Sequence, residues 1–240
     1  MSVLPYTNHK GTKKIQVAEM FDNISGKYDF LNRLLSFGID RMWRKKAVSY
    51  IKDKEGGLIL DIATGTGDFA IEALGVHPEK VIGVDISSGM LAHGRRKIIK
   101  KRLDNKIELQ LGDSEGLRFK DCSFDAAIVA FGVRNFENLE KGLYDMYRVI
   151  KPGGKVVVLE FSRPTSTPFK QFYNFYFKYI LPTVGRLISK DKNAYTYLPA
   201  SVNEFPNGEQ FLGILNNIGF INTQCKKLTF GISSIYAGYK

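Results

Sequence analysis

The chain has 240 residues, 44% of them hydrophobic and 25% charged, a balance that suits one sizeable α/β core and excludes disorder, collagen-like repetition and a disulfide scaffold. Two distant cysteines, Cys122 and Cys225, and three histidines at unrelated spacings, His9, His77 and His93, form no metal-ligand pattern, so no metal is expected. Lysine and arginine number 35 against 24 acidic residues, a formal charge of +11 that favours anionic partners without choosing among nucleic acid, lipid head groups and acidic proteins.

In the first thirty residues Lys10, Lys13, Lys14, Glu19, Asp22, Lys27 and Asp29 interrupt every apolar run, so this stretch reads as neither leader nor membrane anchor. No later stretch reaches the ~18 apolar residues of a spanning helix. A protein not integral to a membrane, in a reducing cytoplasmic setting, is expected. Residues 12–52 predict a cap of two helices anchored by Phe21, Ile24, Tyr28, Leu31, Leu34, Leu35, Met42 and Trp43.

Apolar runs then predict strands at 58–62, 80–84, 106–111, 124–130 and 155–161, with helices at 68–75, 88–103 and 138–150 between the relevant pairs. Ser87 or Ser88 is the candidate N-cap of the second of these helices. The densest basic run, His93 to Lys106, reads as a solvated helix face with Ile98, Ile99 and Leu103 turned inward. Lys151-Pro152-Gly153-Gly154 reads as the turn that ends a helix and enters the fifth strand. After residue 161 the rhythm changes to an aromatic-rich stretch, a helix at 207–218 and strands at 220–228 and 232–239, paired antiparallel across Gly231.

The expectation is one domain over 1–240: a helical cap (12–52), a core (58–161), an aromatic lid region (162–206) and a C-terminal helix with two strands (207–240). Its class is α/β, with a mostly parallel seven-stranded sheet, an antiparallel C-terminal strand and helices on both faces.

Leu58 to Asp68, LILDIATGTGD, passes from an apolar strand through glycines into a helix, which is where a ligand can approach the backbone. The same turn satisfies a dinucleotide fingerprint, with Ala70 in third place and Asp85 about twenty residues on. Three features favour S-adenosylmethionine instead. Asp61 ahead of the glycines suits an α-ammonium and sits badly beside a pyrophosphate. Asp113, in Gly112-Asp113-Ser114-Glu115 after the third strand, can accept from an adenine amino group, with Phe119 as an apolar neighbour. The antiparallel ending of the sheet is typical of Rossmann-like class I methyltransferases. Asp85 then takes both ribose hydroxyls, and the candidate cofactor contacts are Asp61, Gly65, Thr66, Gly67, Asp85, Asp113 and Ser114.

Four further segments narrow the reading: MFDNISGKYDFLNRLLSFGIDRMWRKKA (20–47), SFDAAIVAFGVRNFEN (123–138), MYRVIKPGGKVVVLEFSRP (146–164) and YLPASVNEFPNGEQF (197–211). Together with DIATGTGD (61–68), the chain resembles the UbiE/MenG-like quinone C-methyltransferases over nearly its whole length. The resemblance implies methyl transfer to a demethylmenaquinol or polyprenyl benzoquinol ring, and carries cofactor contacts to Thr66, Asp85, Asp113 and Ser114. Two positions depart from the family pattern: Tyr236 stands where a histidine is frequent, so no catalytic role is assigned there, and Ala130 replaces a serine found in some relatives.

A quinol carbon becomes nucleophilic when the neighbouring hydroxyl loses its proton, so a cation or donor is needed to hold the phenolate. Arg134 and Asn135 follow the fourth strand at the ligand edge of the sheet and are the first catalytic candidates. Tyr28 and Asp29, from the cap, are the second. Between Phe169 and Tyr179 seven of eleven residues are aromatic, which reads as a lid over a polyprenyl tail, with Lys170, Lys178, Arg186 and Lys190 meeting anionic lipid at the inner face of a membrane.

A methyltransferase for another small phenol or for nucleic acid is the alternative. The Asn/Asp-Pro-Pro-aromatic element of amino-methylating nucleic-acid enzymes is replaced by FGVRN, so no nucleic-acid partner is expected. A non-catalytic module is opposed by the intact Asp61, Asp85 and Asp113, and homo-oligomerisation is left open.

Overall fold

The computed structural model of the chain describes residues 3–6, 9–180, 183 and 193–240, without the side chain of Lys178. Arg186, Lys190 and the side chain of Lys178, three of the cations read as meeting lipid, thus lie outside the described residues.

Five strands, β1 (Leu58–Ile62), β2 (Lys80–Asp85), β3 (Ile107–Leu111), β4 (Phe124–Ala130) and β5 (Ile150–Phe161), pair in parallel. β7 (Ser233–Tyr239) runs antiparallel between β5 and β6 (Ile221–Leu228), giving the order β3-β2-β1-β4-β5-β7-β6. The central strands are apolar throughout because both faces are covered. Ile59 and Ile128 face one core, with α3 (Ile39–Val48), α4 (Asp68–Ala73) and α5 (Ser88–Lys100), while Leu60 and Val129 face another, with α6 (Leu139–Val149) and α9 (Glu209–Ile218). β6, at the sheet edge, is mostly exposed and carries Lys226 and Lys227, which discourages edge-to-edge pairing.

The expected strands and helices are present within a few residues. Ser87, rather than Ser88, caps α5, its side chain accepting from the Met90 amide. Asn138 caps α6 through the Lys141 amide. In α5 Ile98 is buried, but Ile99 is 63% exposed and joins the solvated face.

The cap differs from expectation. It holds three helices rather than two, α1 (Lys13–Ile24), α2 (Tyr28–Leu35) and α3, with Phe37 and Gly38, both in left-handed backbone (φ 51° and 76°), separating α2 from α3. Leu34 and Met42 are exposed and do not anchor it. The cap's inner face, Val17, Met20, Ile24 and Leu31, packs against Met90 of α5, Tyr173 of α7 (Phe169–Phe175), Phe177 of the π-turn at 176–180, and Tyr195 and Tyr197 of α8 (Ala194–Glu204). This third core lies over the carboxyl ends of the strands and helps to line two cavities.

Candidate functional site

The first cavity, of about 60 Å³, lies at the carboxyl ends of β1 to β4, the ligand side of an open parallel sheet. Gly65, Asp85, Asp113, Ser114, Ala130 and Asn135 line it, and Lys14, Phe21 and Tyr28 close it from the cap. Two residues in its wall, Ala63 and Phe131, hold left-handed backbone at φ 51° and 58°, a strain that collects where function fixes the chain. Gly132 is required here, since a Cβ would stand 2.6 Å from that of Ala63.

Asp61 sits just behind this wall and is 1% exposed. Its Oδ2 accepts from the Thr64 hydroxyl at 2.5 Å, and its Oδ1 has no partner. Burial pushes its pKa up to about 7, with Asp85 adding to the rise and Thr64, the Ala70 amide and Arg44 opposing it. Asp85 accepts the Gly65 and Ser87 amides, both at 2.8 Å. Burial raises its pKa to about 6 against the pull of those amides. Burial thus disfavours the charged form of both acids, a perturbation that clusters at functional sites.

Other expected contacts are arranged differently. Asp113 lines the cavity but already accepts from Lys14 Nζ at 2.6 Å. Phe119 packs edge-on against Phe124, 5.0 Å between centroids, and is not part of the lining. Thr66 is also turned away: its hydroxyl donates to Asp29 at 2.6 Å and accepts from Lys97 at 2.9 Å. Gly67, at φ 78°, serves as the N-cap of α4 rather than as lining. Lys97 further bridges Asp29 at 2.5 Å and Asp68 at 2.6 Å. Asp29 lines neither cavity; it latches the cap to the glycine turn.

The second cavity, of about 300 Å³, is larger and mostly apolar. Trp43, Phe161, Tyr173, Phe177 and Tyr197 contribute to it, and Phe21, Tyr28 and Phe131 line both cavities. The two cavities therefore adjoin at three aromatic side chains. Arg134 enters the second cavity with 8% of its side chain exposed, bonded to Glu160 at 2.9 Å and to the Phe131 carbonyl. Burial raises the pKa of Glu160 while Arg134 opposes the rise. A second buried pair, Arg44 with Asp40, lies at the same cavity, its guanidinium 5.7 Å from the Phe131 ring centre. Asn135, beside Arg134 in sequence, faces the first cavity instead.

The structure thus brings Arg134 to the apolar cavity, Asn135 with Gly65, Asp85, Asp113 and Ser114 to the smaller one, and Tyr28 to both, while Asp61 lines neither. Tyr236 is fully buried and accepts from the Gly208 amide at 2.9 Å, a structural position. Lys14, Arg44, Glu160, Tyr173 and Tyr197 were not singled out from sequence. Glu160 had a signal, as the lone acid in the apolar run VVVLEF; so did Asp40 and Arg44, an opposite-charge pair at helical spacing i,i+4. Among the described residues no cluster could hold a metal ion, and no helix is long and apolar enough to cross a membrane.

Known structures share this fold. A possible histamine N-methyltransferase from Thermotoga maritima aligns with a TM-score of 0.64 at 18% identity, covering 93% of this chain and 99% of its own. The [4+2]-cyclase SpnF aligns at 0.67 and 15% identity, covering 96% and 97%. That a cyclase shares the scaffold means the fold by itself does not name the reaction. Sequence relatives are more specific. A demethylmenaquinone methyltransferase of Bacteroides fragilis is 48% identical over 99% of this chain and 97% of its own. A ubiquinone/menaquinone biosynthesis C-methyltransferase UbiE of Geotalea daltonii is 48% identical over 96% and 97%. The family model for ubiE/COQ5 methyltransferases matches residues 8–240. With that match over nearly the whole length, the chain belongs to the ubiE/COQ5 methyltransferase family.

Proposed function

We propose that the chain methylates a ring carbon of a polyprenylated quinol with S-adenosylmethionine as donor, converting a demethylmenaquinol to a menaquinol or performing the equivalent step on a benzoquinol in ubiquinone formation. The observation that carries this reading is the shared aromatic wall of Phe21, Tyr28 and Phe131. It sets a cavity suited to a hydrophobic ring against one suited to a polar cofactor. The names of the relatives support a quinol as the acceptor.

The residues of the smaller cavity fit the cofactor. Asp61 Oδ1 and Asn135 Oδ1 are buried acceptors without partners, as an α-ammonium requires. Each Asp85 oxygen keeps a lone pair for a ribose hydroxyl after accepting one amide. Asp113 and Ser114 remain for the adenine, Asp113 after Lys14 gives way. Bound there, S-adenosylmethionine supplies a methyl group already activated on a positively charged sulfur.

The protein's own task is to orient the ring, exclude water and hold negative charge on the ring oxygen. Arg134 provides a fixed positive charge in an apolar surrounding, where it acts more strongly than in water. Loss of water also raises the pKa of Tyr28, whose hydroxyl, hydrogen-bonded to Asn32, therefore keeps its proton at the cavity edge.

Contact with an anionic bilayer surface belongs to the same reading. The segment 169–180 gives Tyr173 and Phe177 to the cavity and leaves Phe172, Phe175 and Tyr179 exposed at 70%, 56% and 53%. Exposed Phe37 and Met42, from the cap, widen this apolar surface, and exposed Lys170 and Arg41 add charge.

The test is incubation of the purified protein with methyl-labelled S-adenosylmethionine and reduced demethylmenaquinone in detergent, with a demethylated benzoquinol and RNA in parallel. Label is expected in a quinol and absent from RNA. No label in either quinol, while calorimetry still detects cofactor binding, would overturn the substrate assignment.

A further inference from the structure

Among the described residues, five buried polar side-chain atoms have no hydrogen-bond partner; four belong to residues that line the two cavities, and the fifth, on Asp61, lies two residues before the lining Ala63. Asp61 Oδ1 and Asn135 Oδ1 are acceptors on the cofactor side. The other three, Arg134 Nε, Tyr173 OH and Tyr197 OH, belong to residues lining the apolar cavity. The two tyrosines are 7% and 4% exposed and come from separate helices, α7 and α8. A buried polar atom without a partner destabilises a fold, so three at one cavity mark a place shaped for something that binds there.

The chemistry of the three atoms limits what that is. A guanidinium Nε–H can only donate. Burial raises the pKa of both tyrosines, Tyr197 to about 12, so both keep their protons at neutral pH. The charged groups acting on the two hydroxyls are Arg134 and Glu160, with Arg163 also acting on Tyr173. Glu160 is already engaged by the Arg134 side chain and the Phe161 amide, so it is the positioning residue for Arg134. The complement to three donors in an apolar cavity is an oxygen that only accepts.

We propose that Arg134 Nε, Tyr173 OH and Tyr197 OH form an oxyanion site that holds the deprotonated ring oxygen of the acceptor, adjacent to the carbon that is methylated. The inference rests on the reading above, that this cavity takes a quinol. The quinol O–H bond breaks, its proton passes to water, and the three donors share the charge left on oxygen. Tyr173 and Tyr197 are thereby assigned to substrate contact rather than to packing alone.

The test uses full-length Tyr173→Phe, Tyr197→Phe and the double variant, which remove the hydroxyls and keep the rings. Four readouts apply: melting temperature, cofactor affinity by calorimetry, quenching of Trp43 by a short-tailed demethylnaphthoquinol, and kcat/KM against pH at saturating S-adenosylmethionine. Trp43 is the single tryptophan and lines the same cavity, so its emission reports occupancy directly. In the double variant kcat/KM falls about 100-fold, roughly tenfold per donor lost. The ascending limb of its pH profile moves about one unit higher, because the phenolate is less stabilised. Cofactor affinity stays within twofold of wild type and the melting temperature is unchanged or higher. Phenylalanine variants with wild-type kcat/KM and an unmoved pH limb would overturn the proposal, as would loss of activity in step with loss of stability. A wild type that neither quenches with nor methylates any quinol would remove the quinol reading itself, and the oxyanion site with it.

Discussion

The two cavities share a wall but are built by opposite means. The smaller one comes mainly from residues 63–136, where loops follow successive parallel strands, and its working groups are carboxylates and backbone turns. The larger one draws on residues 20 to 232, from the cap, the aromatic segment, α8 and the turn before β7. Its charged lining residues, among those described, are Asp40, Arg44 and Arg134. On the proposed reading, a cofactor common to many reactions is met by a sheet edge common to many proteins, whereas the acceptor is met by parts added around that edge. The division predicts that changes on one side leave binding on the other intact, except at the elements that join them.

The largest separation is expected from Asp85→Ala. The change removes an acceptor serving two backbone amides and, on the proposed reading, the ribose, and charge-assisted hydrogen bonds contribute about 1.5–3 kcal/mol each. Calorimetry should show cofactor affinity lower by about 1,000-fold, while Trp43 quenching by quinol is unchanged. Loss of both together would break the comparison.

Arg134 gives the converse case. Arg134→Ala leaves Glu160 buried without its partner, at a cost of about 3–5 kcal/mol, so the informative change is Arg134→Lys. It keeps the charge and loses Nε and the planar fork. Turnover should fall about 100-fold with cofactor affinity within twofold; equal losses in both would show that Arg134 serves the cofactor.

A pH titration sharpens the same contrast. Asp61 and Asp85 have pKa values raised to about 7 and about 6 in the free chain, and an arriving α-ammonium favours the ionised form of Asp61. Cofactor affinity should therefore rise with pH between 5 and 8, by up to tenfold per unit where Asp61 is protonated. The free chain behaves the other way. Raised carboxyl values stabilise the fold below the ordinary carboxylate range, and that contribution is lost as pH rises through 6 to 7. Affinity that is flat across this range would show that Asp61 does not face the cation.

The smallest effect belongs to the latch. Asp29→Asn removes the charge opposite Lys97, worth about 1 kcal/mol for a partly exposed pair. Because this contact joins the cap to the glycine turn, both cofactor and quinol should weaken, each about fivefold. A change confined to one ligand would place Asp29 on that side alone.

The same contrast decides what the sequence makes legible. Strands such as LILDI and the turn at Gly65 carry their signals within a few residues, through apolar runs and a glycine that permits positive φ. The break at Phe37 and Gly38 was missed because a left-handed phenylalanine has no compositional mark. Asp29 and Thr66 lie where cofactor or ring contacts would be expected, yet Lys97, more than thirty residues further on, draws both into the latch. Tyr173 and Tyr197 read as packing aromatics among many; only their missing hydrogen-bond partners distinguish them, and that is a property of three-dimensional packing.

The most direct test of the central claim, that a methyl acceptor meets its donor where the two cavities adjoin at Phe21, Tyr28 and Phe131, is a crystal structure with S-adenosylhomocysteine and a short-tailed quinol bound together. The expected result is the ring in the cavity of Arg134, Tyr173 and Tyr197, with the cofactor sulfur facing it where the two cavities adjoin at those three aromatic residues. A quinol seated elsewhere, or a cofactor that does not contact Asp85, would contradict it.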